Sequence, residues 1–119
     1  MNQDDLKNRT RAFALGTIGL VEQLPRTRSV DIIARQLVRS ATSVGANYRS
    51  ACRAKSRADF IAKMAIVEEE SDESIYWLEL LRDAGFGSVS EVPRLLDEAH
   101  QLTAIIVSSI RTARRNRRI

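Results

Sequence analysis

Between Ser29 and Asp83 the chain carries two apolar stripes that restrict its fold more than any other feature. Val30, Ile33, Leu37, Ala41, Val44, Tyr48 and Ala51 recur every three or four residues. Beyond a short break at Lys55 and Ser56, the same spacing resumes with Phe60, Met64, Val67, Ser71, Ser74, Leu78 and Leu81. Such spacing stacks side chains on one face of a helix. Each stripe must be buried, and the break is too short for the two helices to part, so one folds back on the other.

The flanks add one helix on each side. The first starts near Asp4 or Asp5, whose carboxylates suit a helix N-terminus, and stops before Pro25, which lacks an N–H and disfavours helix in the residue before it. Leu6, Phe13, Leu20 and Leu24, with Ile18 and Val21 beside them, form its apolar side, and Gly16 marks close packing on a neighbour. Ser29 is the expected cap of helix 2, whose small run from Ser40 to Asn47 predicts a tight helix crossing. Ser56 with Asp59 opens helix 3, which ends near Gly85. Ser88 to Glu91 forms a second capping box before helix 4, where Leu95, Leu96, Ala99, Leu102, Ile106, Ile110 and Ala113 face inward. The expectation is an all-α, antiparallel up-and-down four-helix bundle, one domain over residues 1–119 with a basic tail from about 111.

Several functions find no support. No stretch of about 20 apolar residues is present, so no membrane span is expected. The polar, acidic start from Met1 to Asp5 is unlike a secretory signal. A single cysteine, Cys52, fits a reducing cytoplasm and reads as a near-core residue. Neither phosphate-loop glycine pattern occurs. Asp97 and His100 share a helix face, as do Glu70 and Glu73, but a di-metal carboxylate bundle needs a histidine on each of two helices and this chain has one in total. No catalytic residue, metal or cofactor is therefore expected, and His100 reads as a surface or interface residue. Tyr76 and Trp77 are expected to fill the core or a subunit contact.

Charge is unevenly distributed along the chain. The chain is +4, yet five arginines fall within residues 111–119, leaving −1 for the rest. An up-and-down bundle brings the start of helix 1, the end of helix 2, the start of helix 3 and the C-terminus to one end. That end collects Lys7, Arg9, Arg11, Arg49, Arg53, Lys55, Arg57, Arg111, Arg114, Arg115, Arg117 and Arg118 against Asp4, Asp5 and Asp59. A pole of this sign attracts phosphate backbones. The candidate nucleic-acid contacts are Arg49, Arg53, Lys55, Arg57, Arg111, Arg114, Arg115, Arg117 and Arg118. Aromatics are only 5% of the chain, so contacts should be electrostatic rather than base-stacking. Within the acidic run on helix 3, Glu70 and Glu73 lie on the side of Ile66, Trp77 and Leu81. A carboxylate turned inward needs a cation, and Arg39 is the first candidate.

The segment from Gln36 to Leu81 resembles a known family. The resemblance rests on Gln36-Leu37 with Arg39-Ser40, Ser43-Val44-Gly45-Ala46-Asn47-Tyr48, Ala51, Asp59-Phe60, Lys63, and Glu70 and Asp72-Glu73 followed by Tyr76-Trp77-Leu78. It is similar to the small bacterial four-helix-bundle proteins first described from intervening sequences of 23S ribosomal RNA genes. The resemblance implies an up-and-down bundle that assembles as a ring-like homopentamer. It makes Arg39, Ser40, Asn47, Glu70, Glu73 and Trp77 signature residues, read here as a structural inter-helix network. The family includes the accessory variability protein of diversity-generating retroelements, a basic pentameric barrel that binds nucleic acid and a reverse transcriptase. Nothing in the sequence assigns this chain to that branch.

The functional expectation is a non-enzymatic, cytoplasmic homo-oligomer binding RNA or DNA through its basic pole. The alternative is a scaffold that binds a protein partner, its arginine tail serving solubility.

Overall fold

The computed structural model of the protein describes residues 1–86 and 91–116. Its four helices are α1 (Gln3–Gln23), α2 (Arg28–Ala51), α3 (Arg57–Leu81) and α4 (Glu91–Arg115), and a single π turn, Arg82–Phe86, extends α3. They form an antiparallel up-and-down bundle measuring 53 × 21 × 20 Å. α2 packs most extensively on α3 and α3 on α4, while α1 against α4 is the thinnest of the four seams.

Local chemistry fixes the ends. At α1 the cap is Asn2, not Asp4 or Asp5: its side chain accepts from the Asp5 amide at 2.8 Å, and the Asp5 carboxylate accepts from the Asn2 amide at 3.2 Å. Leu24 turns extended before Pro25, ending the helix as expected. α2 starts earlier than Ser29 predicts, because Thr27 takes the cap and accepts from the Val30 amide. Ser56 caps α3 by accepting from the Asp59 amide at 3.1 Å. The reciprocal bond lands one residue further back than a capping box has it, with the Lys55 amide donating to Asp59 at 3.0 Å. Gly85 adopts φ +99°, a left-handed conformation open to glycine, where the π turn ends. The expected box at Ser88 and Ser90 lies outside the described residues, while Pro93 sits in the first turn of α4.

The core follows the two stripes closely. Val30, Leu37, Ala41, Val44, Tyr48 and Ala51 on α2 are buried, as are Met64, Val67, Ser71, Ser74, Leu78 and Leu81 on α3. Ile33 and Phe60 pack at the edge. Ile18, expected on the apolar side of α1, is 42% exposed, and Tyr76, expected in the core or a subunit contact, lies outside the core at 53% exposed. Thr10 and Thr17 take inward positions on α1, each hydroxyl donating back to its own helix, to the Leu6 and Phe13 carbonyls at 2.9 Å. Their methyl groups then face the core without an unmet polar group. The other buried hydroxyls pair across helices, Ser74 with Ser40 at 3.0 Å and Ser71 with Thr103 at 2.6 Å. No buried side-chain polar atom among the described residues lacks a partner.

Two glycines explain how α1 seats on its neighbours. A Cβ on Gly16 would stand 3.1 Å from Leu95 Cδ2, and one on Gly45 would stand 3.1 Å from Thr10 Oγ1. Gly45 is thus a point of close approach between α1 and α2, as the small residues of α2 predict.

Candidate nucleic-acid interface

The bundle brings four helix ends together. Met1, Asn2 and Gln3 line one cleft with Tyr48 of α2, Phe60 of α3, Ser109 and Thr112 of α4, and Asn116 just beyond it. Arg49, Arg53, Lys55 and Arg57 from the α2–α3 corner therefore share an end with Arg111, Arg114 and Arg115. Arg117 and Arg118 lie outside the described residues. The C-terminal turns of α2 and α4 suit cations through the helix dipole, which accounts for some of these arginines locally. It does not account for the absence of partners: none of these seven side chains forms an ion pair among the described residues.

The carboxylate at this corner is already engaged. Asp59 accepts from the Lys55 amide and from Lys63 Nζ, both at 3.0 Å. Those two bonds, the amide first, hold its carboxyl below the usual aspartate range. Arg9 leaves the pole. It reaches sideways to Glu98 of α4, with Nη2 2.6 Å from Oε1 and Nε 3.1 Å from Oε2, and also donates to Gln101. The expectation that Arg9 adds to the basic end is corrected on that geometry.

Beside the pole, α1 and α2 leave a furrow. One cleft of about 430 Å³ is lined by Lys7, Arg11, Thr42, Gly45 and Arg49, among others. A second of about 500 Å³ continues it through Lys7, Ala46, Arg49, Arg53 and Lys63. Sequence reasoning put Lys7 and Arg11 at the pole without giving them a contact. The available signal is a matched pair of four-residue spacings: Lys7 and Arg11 share one face of α1, and Arg49 in the last turn of α2 is followed by Arg53 in the turn just beyond it.

On the α2–α3 side a different arrangement appears. Arg39 donates through Nη1 to Glu70 Oε2 at 3.1 Å and through Nη2 to Glu70 Oε1 at 3.2 Å, and also reaches Glu73. Trp77 Nε1 donates to Glu73 Oε2 at 3.1 Å. The indole, then Arg39, keeps the Glu73 carboxyl below the usual glutamate range. Ser40 joins through Ser74. Asn47 does not join: its amide donates to the Ser43 carbonyl of its own helix at 2.8 Å. The group is also nearer the surface than an inward-turned carboxylate implies, since Arg39 is 48% exposed and Glu70 17%. Tyr76 packs edge-on against Trp77, ring centroids 5.0 Å apart, on the outside of this seam.

No cluster of three or more metal-ligating side chains occurs among the described residues, and Cys52 is a free, half-buried thiol. Burial, and then the neighbouring Cys52, push the pKa of the Tyr48 hydroxyl upward. No described helix is long and apolar enough to cross a membrane.

The model of the 23S rRNA-intervening sequence protein family matches residues 3–108, which span all four helices but the last turns of α4. The chain belongs to that family. A solved structure similar to it is a protein with unknown function from the S23 ribosomal protein family of Bacteroides thetaiotaomicron VPI-5482, 32% identical, with a TM-score of 0.84. That similarity covers 93% of this chain and 99% of the other. No curated protein sequence matches at a significant level. The intervening-sequence family match ends at residue 108, so Lys7, Arg11, Arg49 and Arg53 fall inside it and Arg111, Arg114 and Arg115 beyond it.

Proposed function

We propose that this protein is a non-enzymatic, homo-oligomeric, cytoplasmic member of its family that binds RNA or DNA electrostatically through its basic pole. The observation that carries the reading is the convergence of Arg49, Arg53, Lys55, Arg57, Arg111, Arg114 and Arg115 on one end, unpaired with carboxylates among the described residues. Cations held this way release counterions from a phosphate backbone on binding, which supplies affinity without sequence information. A subunit number of five is what the family resemblance implies. Oligomerisation would repeat the pole around an axis, so that several weak phosphate contacts act together. Leu15, Ile18, Ile32, Ile66 and Tyr76, all exposed, supply apolar surface for contacts between copies.

The test is binding of a generic RNA over a series of salt concentrations, with and without residues 111–119. Affinity that falls steeply with salt, and that weakens on truncation, is the expected result. No binding by the full chain at low salt overturns the reading. The mass of the native assembly checks the oligomer separately. The same exposed apolar side chains favour a second reading, a scaffold that holds a protein partner. A stoichiometric partner that survives nuclease treatment would support it.

A further inference from the structure

We infer that one strand of nucleic-acid backbone lies along the furrow between α1 and α2, its phosphates met by Lys7, Arg11, Arg49 and Arg53, rather than across the arginine tip of α4. The inference rests on the polyanion reading above and locates its ligand.

Three features of the furrow point this way. The first is shape. The two clefts adjoin, sharing Lys7, Ala46 and Arg49, and run from Thr42 along α2 to Arg53 in the turn just beyond it. At the helical rise that is about 16 Å, the reach of a short run of nucleotides. The second is charge. Neither cleft is lined by a carboxylate, and among the described residues Lys7, Arg11, Arg49 and Arg53 form no ion pair. Lys63, at the furrow's end, is held by Asp59. The third is the floor. Gly45 and Ala46 are small, and Gly45 already touches Thr10, so nothing bulky holds a strand away from the cations on either wall. The arginines at the tip of α4, by contrast, line neither cleft.

The furrow also lacks what base reading needs. No aromatic side chain lines either cleft, so the bases of a bound strand have no ring to stack on. Recognition is of phosphates, and RNA and DNA of mixed sequence are expected to bind alike.

The experiment compares the full chain with two variants, K7Q/R11Q/R49Q/R53Q and R111Q/R114Q/R115Q. Each is titrated against fluorescein-labelled single-stranded RNA and DNA of one mixed sequence, over a range of potassium chloride. Arg11, Arg49 and Arg53 are exposed and Lys7 is half-buried, and circular dichroism checks that both variants stay folded. The furrow variant should lose the larger share of affinity, about tenfold or more, and its slope of log affinity against log salt should flatten by about 3, near 0.7 per phosphate contact. Retention of affinity and slope in the furrow variant, with their loss in the α4 variant, overturns the inference and leaves the polyanion reading standing. Strong preference of the full chain for one sugar or one base also overturns it. Absence of binding by the unaltered chain at low salt removes both.

Discussion

Arg39 in the middle of α2 and Arg53 in the turn just beyond its C-terminal end meet opposite surroundings. Arg39 faces the acidic run of α3 and is held by Glu70 and Glu73. Arg53 faces the start of α3, where Asp59 is already bound by the Lys55 amide and Lys63. The antiparallel register decides this. Because α3 runs back along α2, its acids between Glu68 and Glu73 fall opposite the middle of α2 and not opposite its end. One residue type thereby serves two purposes: a paired arginine fastens two helices, and an unpaired one remains open to a phosphate.

Both depend on the packing beneath them, so the largest effect comes from emptying it. Leu37 is fully buried, and its carbonyl accepts the hydroxyl of Ser40, the residue next to Arg39. Leu37→Ala should cost about 2–5 kcal/mol in denaturant unfolding. A loss well below that range would mean the bundle closes over the cavity.

Charge reversal separates the two arginines directly. Arg39→Glu sets a third carboxylate against Glu70 and Glu73 and should lower the melting temperature clearly. Arg53→Glu should leave melting nearly unchanged and weaken RNA binding instead. Equal melting losses in the two variants would erase the contrast between seam and pole. The half-exposed setting of Arg39 limits the first effect, since a pair open to water is screened.

Glycines offer a smaller and cleaner comparison. A Cβ at Gly19 meets nothing within 4 Å, so Gly19→Ala should stabilise the fold by about 0.5–1 kcal/mol through helix propensity alone. Gly45→Ala offers the same propensity but places its methyl 3.1 Å from Thr10 Oγ1, a hydroxyl bonded to the Leu6 and Lys7 carbonyls. It should therefore yield less or reverse sign. A gain at Gly45 equal to that at Gly19 would show that α1 can shift away from α2, and that the furrow floor is not fixed.

Much of this was legible in the residues. The stripes on α2 and α3, the Pro25 and Gly85 stops and the Ser56 cap all follow from spacing and backbone preference, which act locally. The misses share a cause too. Thr27 and Ser29 both offer a capping hydroxyl, and only burial of the following residues chooses between them. Ile18 looks like core until Thr10 and Thr17 fill the inward positions by satisfying their own hydroxyls within the helix. Arg9 shares a helix with Lys7 and Arg11, yet its side chain crosses to Glu98, a tertiary contact that spacing along one helix does not reveal. The pole was readable because it needs only helix direction, whereas the furrow needs to know which side chains carry partners.

Acid titration gives the finest version of the contrast. Glu73 and Asp59 both have carboxyls held below their ordinary range, by the Trp77 indole and Arg39 in one case and by the Lys55 amide and Lys63 in the other. A depressed folded-state pKa means the charged form is favoured on folding. The resulting stability is complete above the unfolded-chain values of about 4 and is lost as pH falls through the lower folded values. Melting temperature should thus drop in acid, and Glu73→Gln and Asp59→Asn should each flatten part of that drop. Only Asp59 belongs to the basic end, where its loss frees Lys63 and adds one net positive charge beside the furrow. Asp59→Asn should therefore also tighten RNA binding slightly at neutral pH, while Glu73→Gln leaves it alone. Equal binding shifts in both variants would show that total charge, and not its placement at the pole, governs the interaction.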